Sequence, residues 1–438
     1  MGRAINETKE ELFEEVKDVP YELPEGWRWV KLEDIVEINP ESVNPVKDFS
    51  EETFTYIDIS SVENYTGRIT NPKIIVAKKA PSRARRLIKH RDILLSTVRP
   101  YLMAHAFVSS EYENQVCSTG FAVLRVKNEK QIYPKYLWFS LFSEALLRQY
   151  ERLMMGASYP ALNNNQVRAL VIPLPFKDGE PDFEKQKQIV ERIEALFKEI
   201  GKTIELRQKA IEETKNLFES VLDRIFREAE KDKENWKWVR LGSIGRIFSG
   251  TSAPQDKKYF NEGKCPFIRV SDLGKYGKTT DLKECRDYIN DLAVKEKKLV
   301  KAREGTIIFP KSGAAILTNN RGILGVDAYV VSHLACLEVH NDFDNHFVFY
   351  MLCNLDFSKI INNSSYPSLT LKEIKEIRIP IPFKDGSPDL KVQRQIAEYL
   401  DNLANKIKQL EKLQKVQLEK FGQLKESILN KAFRGKIL

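Results

Sequence analysis

The sequence predicts an α+β protein built twice, with two homologous head domains joined by two long helices that form an antiparallel intramolecular coiled coil. Three observations carry this expectation. The 438 residues contain an internal duplication. Each copy opens with short β-branched and aromatic runs punctuated by turn residues. Each copy then closes on a long stretch of heptad spacing.

The duplication has a period of about 207 to 211 residues. Glu25-Gly-Trp-Arg-Trp-Val-Lys-Leu-Glu-Asp-Ile35 returns as Glu234-Asn-Trp-Lys-Trp-Val-Arg-Leu-Gly-Ser-Ile244, and Tyr56-Ile-Asp-Ile-Ser-Ser-Val62 as Phe267-Ile-Arg-Val-Ser-Asp-Leu273. Asp92-Ile-Leu-Leu-Ser96 matches Gly305-Thr-Ile-Ile-Phe309 at the slightly longer offset of 213 residues. The strongest matches close each copy: Ser158-Tyr-Pro-Ala-Leu162 with Ser365-Tyr-Pro-Ser-Leu369, and Ile172-Pro-Leu-Pro-Phe-Lys-Asp-Gly-Glu-Pro-Asp182 with Ile379-Pro-Ile-Pro-Phe-Lys-Asp-Gly-Ser-Pro-Asp389. Shared turn chemistry explains one Pro-rich stretch. It does not explain four matches in one order.

Strands are expected at Ile74–Val76, Ile93–Leu95, Phe121–Leu124, Ile307–Phe309 and Ala335–Leu337, and a helix from Pro134 to Glu151. After each Lys-Asp-Gly turn the period becomes helical. A seam steps by fours and threes through Ile189, Ile193, Leu196, Ile200, Thr203, Arg207, Ala210, Thr214, Leu217 and Val221. Its counterpart runs through Ile396, Leu400, Leu403, Ile407, Leu410, Gln414, Gln417, Phe421, Leu424 and Ile428. Both seams are apolar at the ends and polar in the middle. An antiparallel pairing therefore brings Arg207 to the Gln414–Gln417 stretch; the alternative is that each helix is only the amphipathic edge of its own domain. The expected order is an N-terminal helical extension over 1–22, a head over 23–175, a helical spacer over 176–233, a second head over 234–382 and a helical spacer over 383–438.

A helix from Glu184 to about Arg227 is on the order of 65 Å long. Successive DNA turns lie about 34 Å apart along one face. Two heads on such a ruler suit a split DNA target, although a bivalent protein binder shares that shape.

Composition fits a globular chain, with 42% hydrophobic and 30% charged residues. No apolar run approaches the roughly 18 residues of a membrane span, and Met1 to Pro20 lack the apolar core of a signal peptide. A cytoplasmic location is expected. The five cysteines, Cys117, Cys265, Cys285, Cys336 and Cys353, are scattered and form no CxxC pair. That argues for buried, inert thiols over a disulfide framework or structural zinc.

The formal charge of +8 permits a nucleic-acid partner, and its distribution favours one. Lys78, Lys79, Arg83, Arg85, Arg86, Lys89, His90 and Arg91 place eight basic residues or histidine within fourteen positions. The second copy has Lys295, Lys297, Lys298, Lys301 and Arg303 at the corresponding place. Such clusters suit phosphates, and Arg can grip guanine with two hydrogen bonds. Nearby loops carry Arg99 and Tyr101 in the first head, and Lys311, Ser312, Asn319, Asn320 and Arg321 in the second, as candidates to reach base edges. The copies diverge most between the shared landmarks, which suggests two different half-sites.

Catalytic motifs are missing. There is no P-loop and no Asn/Asp-Pro-Pro-Tyr/Phe motif; Asn39-Pro40 and Asn71-Pro72 lack the rest. Pro181-Asp182-Phe-Glu184-Lys185 resembles nuclease carboxylates, yet Pro388-Asp389-Leu-Lys391 loses the second acid, so a helix cap by Asp182 and Asp389 accounts for it better. The five histidines lack metal-ligand spacing, and His90 and His105 read as structural or phosphate-facing. Ser158 and Ser365 have no assignable His and acid. No catalytic residue and no metal ligand is assigned.

Together, the two Trp-x-x-x-x-Leu openings, the two Ile-Pro-x-Pro strands and the helices after Gln186-Lys-Gln-Ile189 and Gln393-Arg-Gln-Ile396 resemble the specificity subunit of Type I restriction–modification systems. The resemblance covers nearly the whole chain from about Leu23. One departure is the inserted Phe-Lys-Asp-Gly-x-Pro-Asp, with Lys185 and Val392 where the family has Glu before Gln. The resemblance implies a chain without catalysis of its own, whose heads are target-recognition domains for an asymmetric bipartite site in double-stranded DNA. It also implies two modification subunits that methylate adenine with S-adenosylmethionine, held by the helices and adjoining head faces. Restriction subunits would add ATP- and Mg-dependent translocation and cleavage. The rival readings are a DNA-binding scaffold outside restriction systems and a single-chain enzyme acting on DNA, which the missing motifs disfavour.

Overall fold

The computed structural model describes residues 19–49, 52–156, 159–276, 278–361 and 367–438. Its contacts divide the chain into two compact units. One comprises Met1–Leu206 and Lys415–Leu438, the other Arg207–Gln414. Most of the extension expected over 1–22 lies outside the described residues, and residues 19–22 are bends and coil rather than helix. No helix among the described residues is long and apolar enough to cross a membrane.

In the first unit, the duplicated Trp and Pro motifs prove to be strand partners. Trp27–Lys31 pairs antiparallel with Val171–Lys177, setting Trp27 opposite Pro175 and Trp29 opposite Pro173. A proline fits a ladder where its missing N–H would point away from the partner. The Pro173 and Pro175 carbonyls accordingly turn elsewhere, to the Tyr136 hydroxyl at 2.7 Å and the Asp182 N–H at 2.8 Å. Two four-stranded sheets follow. One runs Val36–Ile38, Phe121–Val126, Ile93–Ser96, Ala106–Phe107; the other runs Lys73–Val76, Thr53–Ile57, Val116–Ser118, Ala84–Leu87. The helix expected over 134–151 is two helices, Pro134–Ser140 and Glu144–Leu153. The Ser140 hydroxyl donates back to the Leu137 carbonyl at 2.7 Å, a local bond that competes with helix continuation.

The second unit repeats this plan. Trp236–Arg240 pairs with Arg378–Lys384, again with Trp opposite Pro (Trp236–Pro382, Trp238–Pro380). The counterpart sheets run Gly245–Ser249, Leu334–Val339, Ile307–Pro310, Arg321–Leu324, Lys278–Leu282 and Asp287–Ile289, Cys265–Ile268, Ala328–Val330, Lys301–Ala302. Lys278–Leu282 is a fifth strand, parallel to Arg321–Leu324, with no counterpart among the described residues of the first unit.

The first long helix spans Phe183–Lys231 and the second Leu390–Phe433. Asp182 and Asp389 cap them, accepting from Lys185 N at 2.9 Å and Val392 N at 3.1 Å. Each head is closed by the start of the helix that follows it and the end of the other. The first core contains Ile189, Val190, Ile193 and Ile200 together with Ile428, Leu429, Ala432 and Phe433. The second contains Ala397 and Leu400 together with Leu222 and Ile225.

Within the first unit the Lys425 ammonium lies over the Phe197 ring, and within the second the Arg207 guanidinium donates to Gln414 Oε1 at 2.9 Å. Numbering falls on one helix as it rises on the other, so the pair is antiparallel, and Arg207 meets the expected stretch. The seam itself needs correcting. Thr203, Ala210 and Leu217 are exposed, and Ile204, Ile211 and Phe218 turn inward instead. On the second helix Leu410 and Leu424 are exposed while Glu411 and Lys425 face in. A heptad has two inward positions. Reading forward from Ile189 and Ile193 placed one of them correctly, at 200, 207 and 214, and the other one residue early.

Candidate nucleic-acid interface

In the first head, the basic cluster occupies the 3-10 turn Ala77–Lys79 and the edge strand Ala84–Leu87. The second head's cluster occupies the end of helix Asp291–Lys297 and the equivalent edge strand Lys301–Ala302. Lys78, Lys79, Arg83 and Arg91 are exposed, as are Lys297, Lys298, Lys301 and Arg303. Some of these charges are already engaged. Lys301 pairs with Asp327 at 2.7 Å, Arg91 pairs with Glu129, and the Lys297 ammonium lies over the Tyr259 ring at 5.2 Å. Lys298 ends its helix in the left-handed conformation.

The middle of the first cluster turns inward. Lys89 binds Glu41 at 2.8 Å, and Arg125 joins Glu41 to the buried Asp92. The Lys89 and Arg125 hydrogen bonds hold the Glu41 carboxyl below the usual carboxylate range. Arg85 donates to Asn44 Oδ1 at 2.9 Å, and Arg86, half-buried at a bulge, keeps its Nε out of water. Lys89 and Arg85 thus have partners within the first head.

Arg303 lines a cleft of about 620 Å³ with Arg246, His340 and Arg394, at the start of the second long helix. The first head has an equivalent cleft of about 330 Å³ holding His90 and Arg91.

Behind the strands Ile93–Ser96 and Ile307–Pro310, both heads build the same loop frame. Thr97 O accepts from Leu162 N and Arg99 N donates to Pro160 O; Lys311 O accepts from Leu369 N and Gly313 N donates to Pro367 O. The residue at the corner has positive φ in each head, but only Arg99 (φ 49°, ψ 54°) is in the left-handed helical region; Gly313 (φ 76°, ψ −179°) is in an extended conformation open to glycine. The left-handed conformation suits glycine and costs an L-residue about 1 kcal/mol or more. The proline after Arg99 disfavours it further. Arg99 is exposed, and its guanidinium lies over the Tyr159 ring, 5.4 Å from the centroid. Tyr159 itself is 74% exposed. Tyr101 sits half-buried in the adjoining turn. Sequence reasoning used Tyr159 only as a landmark of the repeat, although a Tyr beside a glycine-like corner was the available signal. Ser158 and Ser365 lie outside the described residues.

The second head's loop candidates fare differently. Arg321, expected to reach base edges, is only 1% exposed. Its guanidinium donates to Asn319 O at 2.6 Å and Leu355 O at 2.8 Å and stacks on the Phe357 ring. Asn319 is equally committed, donating to Asp356 Oδ1 at 3.0 Å and accepting from Phe357 N at 3.2 Å. Ser312 is hydrogen-bonded to His333 Nδ1 at 2.7 Å, and Lys311 and Asn320 are half-buried. Burial of an unpaired arginine would be costly; here backbone carbonyls and an aromatic face receive it.

His105 is structural. It is fully buried, its Nδ1 accepts from Ser96 N at 3.1 Å, and burial pushes its pKa down to about 3. Among the described residues no three His, Cys, Asp or Glu side chains converge as metal ligands would. Cys117, Cys336 and Cys353 are buried, Cys265 and Cys285 partly so, and all five are free thiols.

Two copies of one frame, each presenting basic side chains beside a loop that differs between them, define a duplicated two-headed recognition protein. The chain belongs to the Type I restriction modification DNA specificity family, whose model matches residues 24–213 and 233–420. The Type I restriction enzyme MjaIX specificity subunit of Methanocaldococcus jannaschii is 26% identical over 375 residues, covering 82% of this chain and 84% of that one. The HindI specificity subunit of Haemophilus influenzae is 27% identical over 275 residues, covering 48% and 60%. Among solved structures, the HsdS subunit from Thermoanaerobacter tengcongensis aligns with TM-score 0.57 and 30% identity over 95% of this chain and 99% of that chain. A chain from a study of assembly and conformational transition in the type I R-M system aligns with TM-score 0.74 and 30% identity, over 95% and 100%.

Proposed function

We propose that this chain gives a Type I restriction–modification complex its DNA sequence specificity by reading two unlike half-sites, one with each head. The observation that carries the asymmetry is the shared loop frame with different contents. Arg99 stands in one head where Gly313 stands in the other, and among the described residues the strand Lys278–Leu282 occurs in the second head alone. Equal half-sites would call for equal side chains at the equivalent corners.

In this reading the exposed Lys78, Lys79, Arg83, Lys297, Lys298 and Arg303 meet phosphates and set affinity. The chemistry belongs to partners. Two modification subunits methylate adenine with S-adenosylmethionine, and restriction subunits use ATP and Mg. The long helices offer partners apolar side chains: Leu206, Val416 and Leu424 are exposed in the first unit, and Leu217, Leu410 and Leu413 in the second.

The test is to combine the chain with a cognate modification subunit and map methylation across a random-sequence DNA pool. Methylated adenines confined to one split, asymmetric motif, and lost when this chain is omitted, are the expected result. A palindromic motif would sink the asymmetry, and methylation independent of this chain would sink the whole reading.

A further inference from the structure

The exposed arginine at the corner of the first head's loop stands where the second copy has a glycine. The two backbone bonds that frame it recur in the second head, where the glycine at the corner has a different ψ (−179° against 54°). Nothing in the local fold therefore requires a side chain at residue 99. A left-handed conformation held by an exposed non-glycine residue, with a proline next, invites a role for its side chain outside the fold. That side chain is exposed and makes no ion pair among the described residues. It is steadied by the face of Tyr159, which is itself exposed. Stacking fixes the plane of a guanidinium and leaves its N–H edge outward, the arrangement that two-point recognition of a base edge needs.

We propose that Arg99, held flat by Tyr159, reads a guanine in the half-site bound by the first head, by donating to its O6 and N7 from the major groove. At the equivalent corner of the second head Gly313 has no side chain to donate. This assignment rests on the proposed function and adds to it which head recognises a G·C pair and with what group.

The experiment measures methylation motifs on a random DNA pool for the reconstituted complex with unaltered chain, Arg99→Gly, Arg99→Lys and Tyr159→Ala. Arg99→Gly copies the second head and relieves the left-handed backbone, so its melting temperature is expected to equal or exceed that of the unaltered chain. Its motif is expected to lose preference for one G·C pair in one half-site by roughly 10- to 100-fold, with the other half-site unchanged. Arg99→Lys keeps the charge but not the planar fork, and is expected to lose the same preference. Tyr159→Ala is expected to weaken it.

An unchanged motif in Arg99→Gly overturns the proposal. So does a uniform loss of affinity that Arg99→Lys restores, which would make residue 99 a phosphate contact. If the complex with unaltered chain directs no bipartite motif, the proposed function fails first and this assignment falls with it.

Discussion

The two heads fill equivalent places in one frame with groups of different charge chemistry. Strand pairing sets Phe107 opposite Ile93 and Ile323 opposite Ile307, so His105 and Arg321 occupy the same place. In the first head a neutral histidine accepts the Ser96 N–H. In the second, strand pairing shifts the sequence match by one, so the residue equivalent to Ser96 is Pro310 rather than Phe309. It has no N–H to give, and an arginine donates to carbonyls instead. The joint between head and helix differs in the same way. The first head uses Lys135–Glu194 at 2.6 Å. The second uses His346–Asp401 at 2.8 Å, with the Tyr350 hydroxyl donating to the same carboxylate at 2.6 Å. Gln186 and Gln393 hold both joints alike, accepting from Tyr133 N and Asp344 N. A duplicated backbone thus tolerates exchange of polar groups that find most of their partners, with His105 Nε2 and Arg321 Nε left unbonded, and the exchange gives the halves opposite responses to pH.

The largest expected effect comes from removing the second head's solution. Arg321→Leu strands the Asn319 and Leu355 carbonyls and loses the stack on Phe357. A destabilisation of about 3–5 kcal/mol is expected. Hydrogen exchange should show it in the second unit only; equal loosening of both units would break the comparison.

Acid should select the first head. His105 has its folded pKa depressed to about 3 by burial, against an ordinary value near 6.5. Its contribution is therefore present above about pH 6.5 and lost as pH falls. By pH 4.5 the first unit should have lost about 2–3 kcal/mol. His105→Gln should remove that dependence, as followed by pH-dependent thermal unfolding.

Where the helices cross their polar middle, Arg207→Leu with Gln414→Leu should stabilise the pair by about 1–2 kcal/mol. The same change should loosen its alignment, read as altered spacing between the half-sites of the methylated motif.

The smallest effect is at the second joint. The hydrogen bond to Asp401 raises the His346 pKa, against a smaller opposing effect of burial. Burial opposes ionisation of Asp401, but its bonds from His346 and Tyr350 outweigh it and hold the carboxyl below the usual range. The histidine's contribution is full below about pH 6.5 and is lost as pH rises through its raised folded value. For so open a pair, about 0.5–1 kcal/mol is expected. Exchange protection of the helix Asn345–Asn354 should fall between pH 6 and 9, with no matching change at Pro134–Ser140. His346→Lys should abolish the difference.

Much of this was legible in the sequence. The repeat, the paired Trp and Pro motifs, the two long helices and their antiparallel match at Arg207 are all properties of local pattern and spacing. These survive because hydrophobic period and turn chemistry act over a few residues. The first residue beyond local pattern to mislead was Arg321. Next to Asn319 and Asn320 it read as a polar loop, yet Leu355 and Phe357, more than thirty positions on, draw it inside.

The same limit explains the rest. Whether Lys89 is free depends on Glu41, and which residue of a heptad faces in depends on Phe197 and Lys425 meeting across two helices. By itself the sequence determined that one frame occurs twice and how the long helices pair, since both follow from periodic order along the chain. Only the tertiary structure decided which charges face outward and that His105 and Arg321 share a place, because burial is set by contacts between residues far apart in sequence.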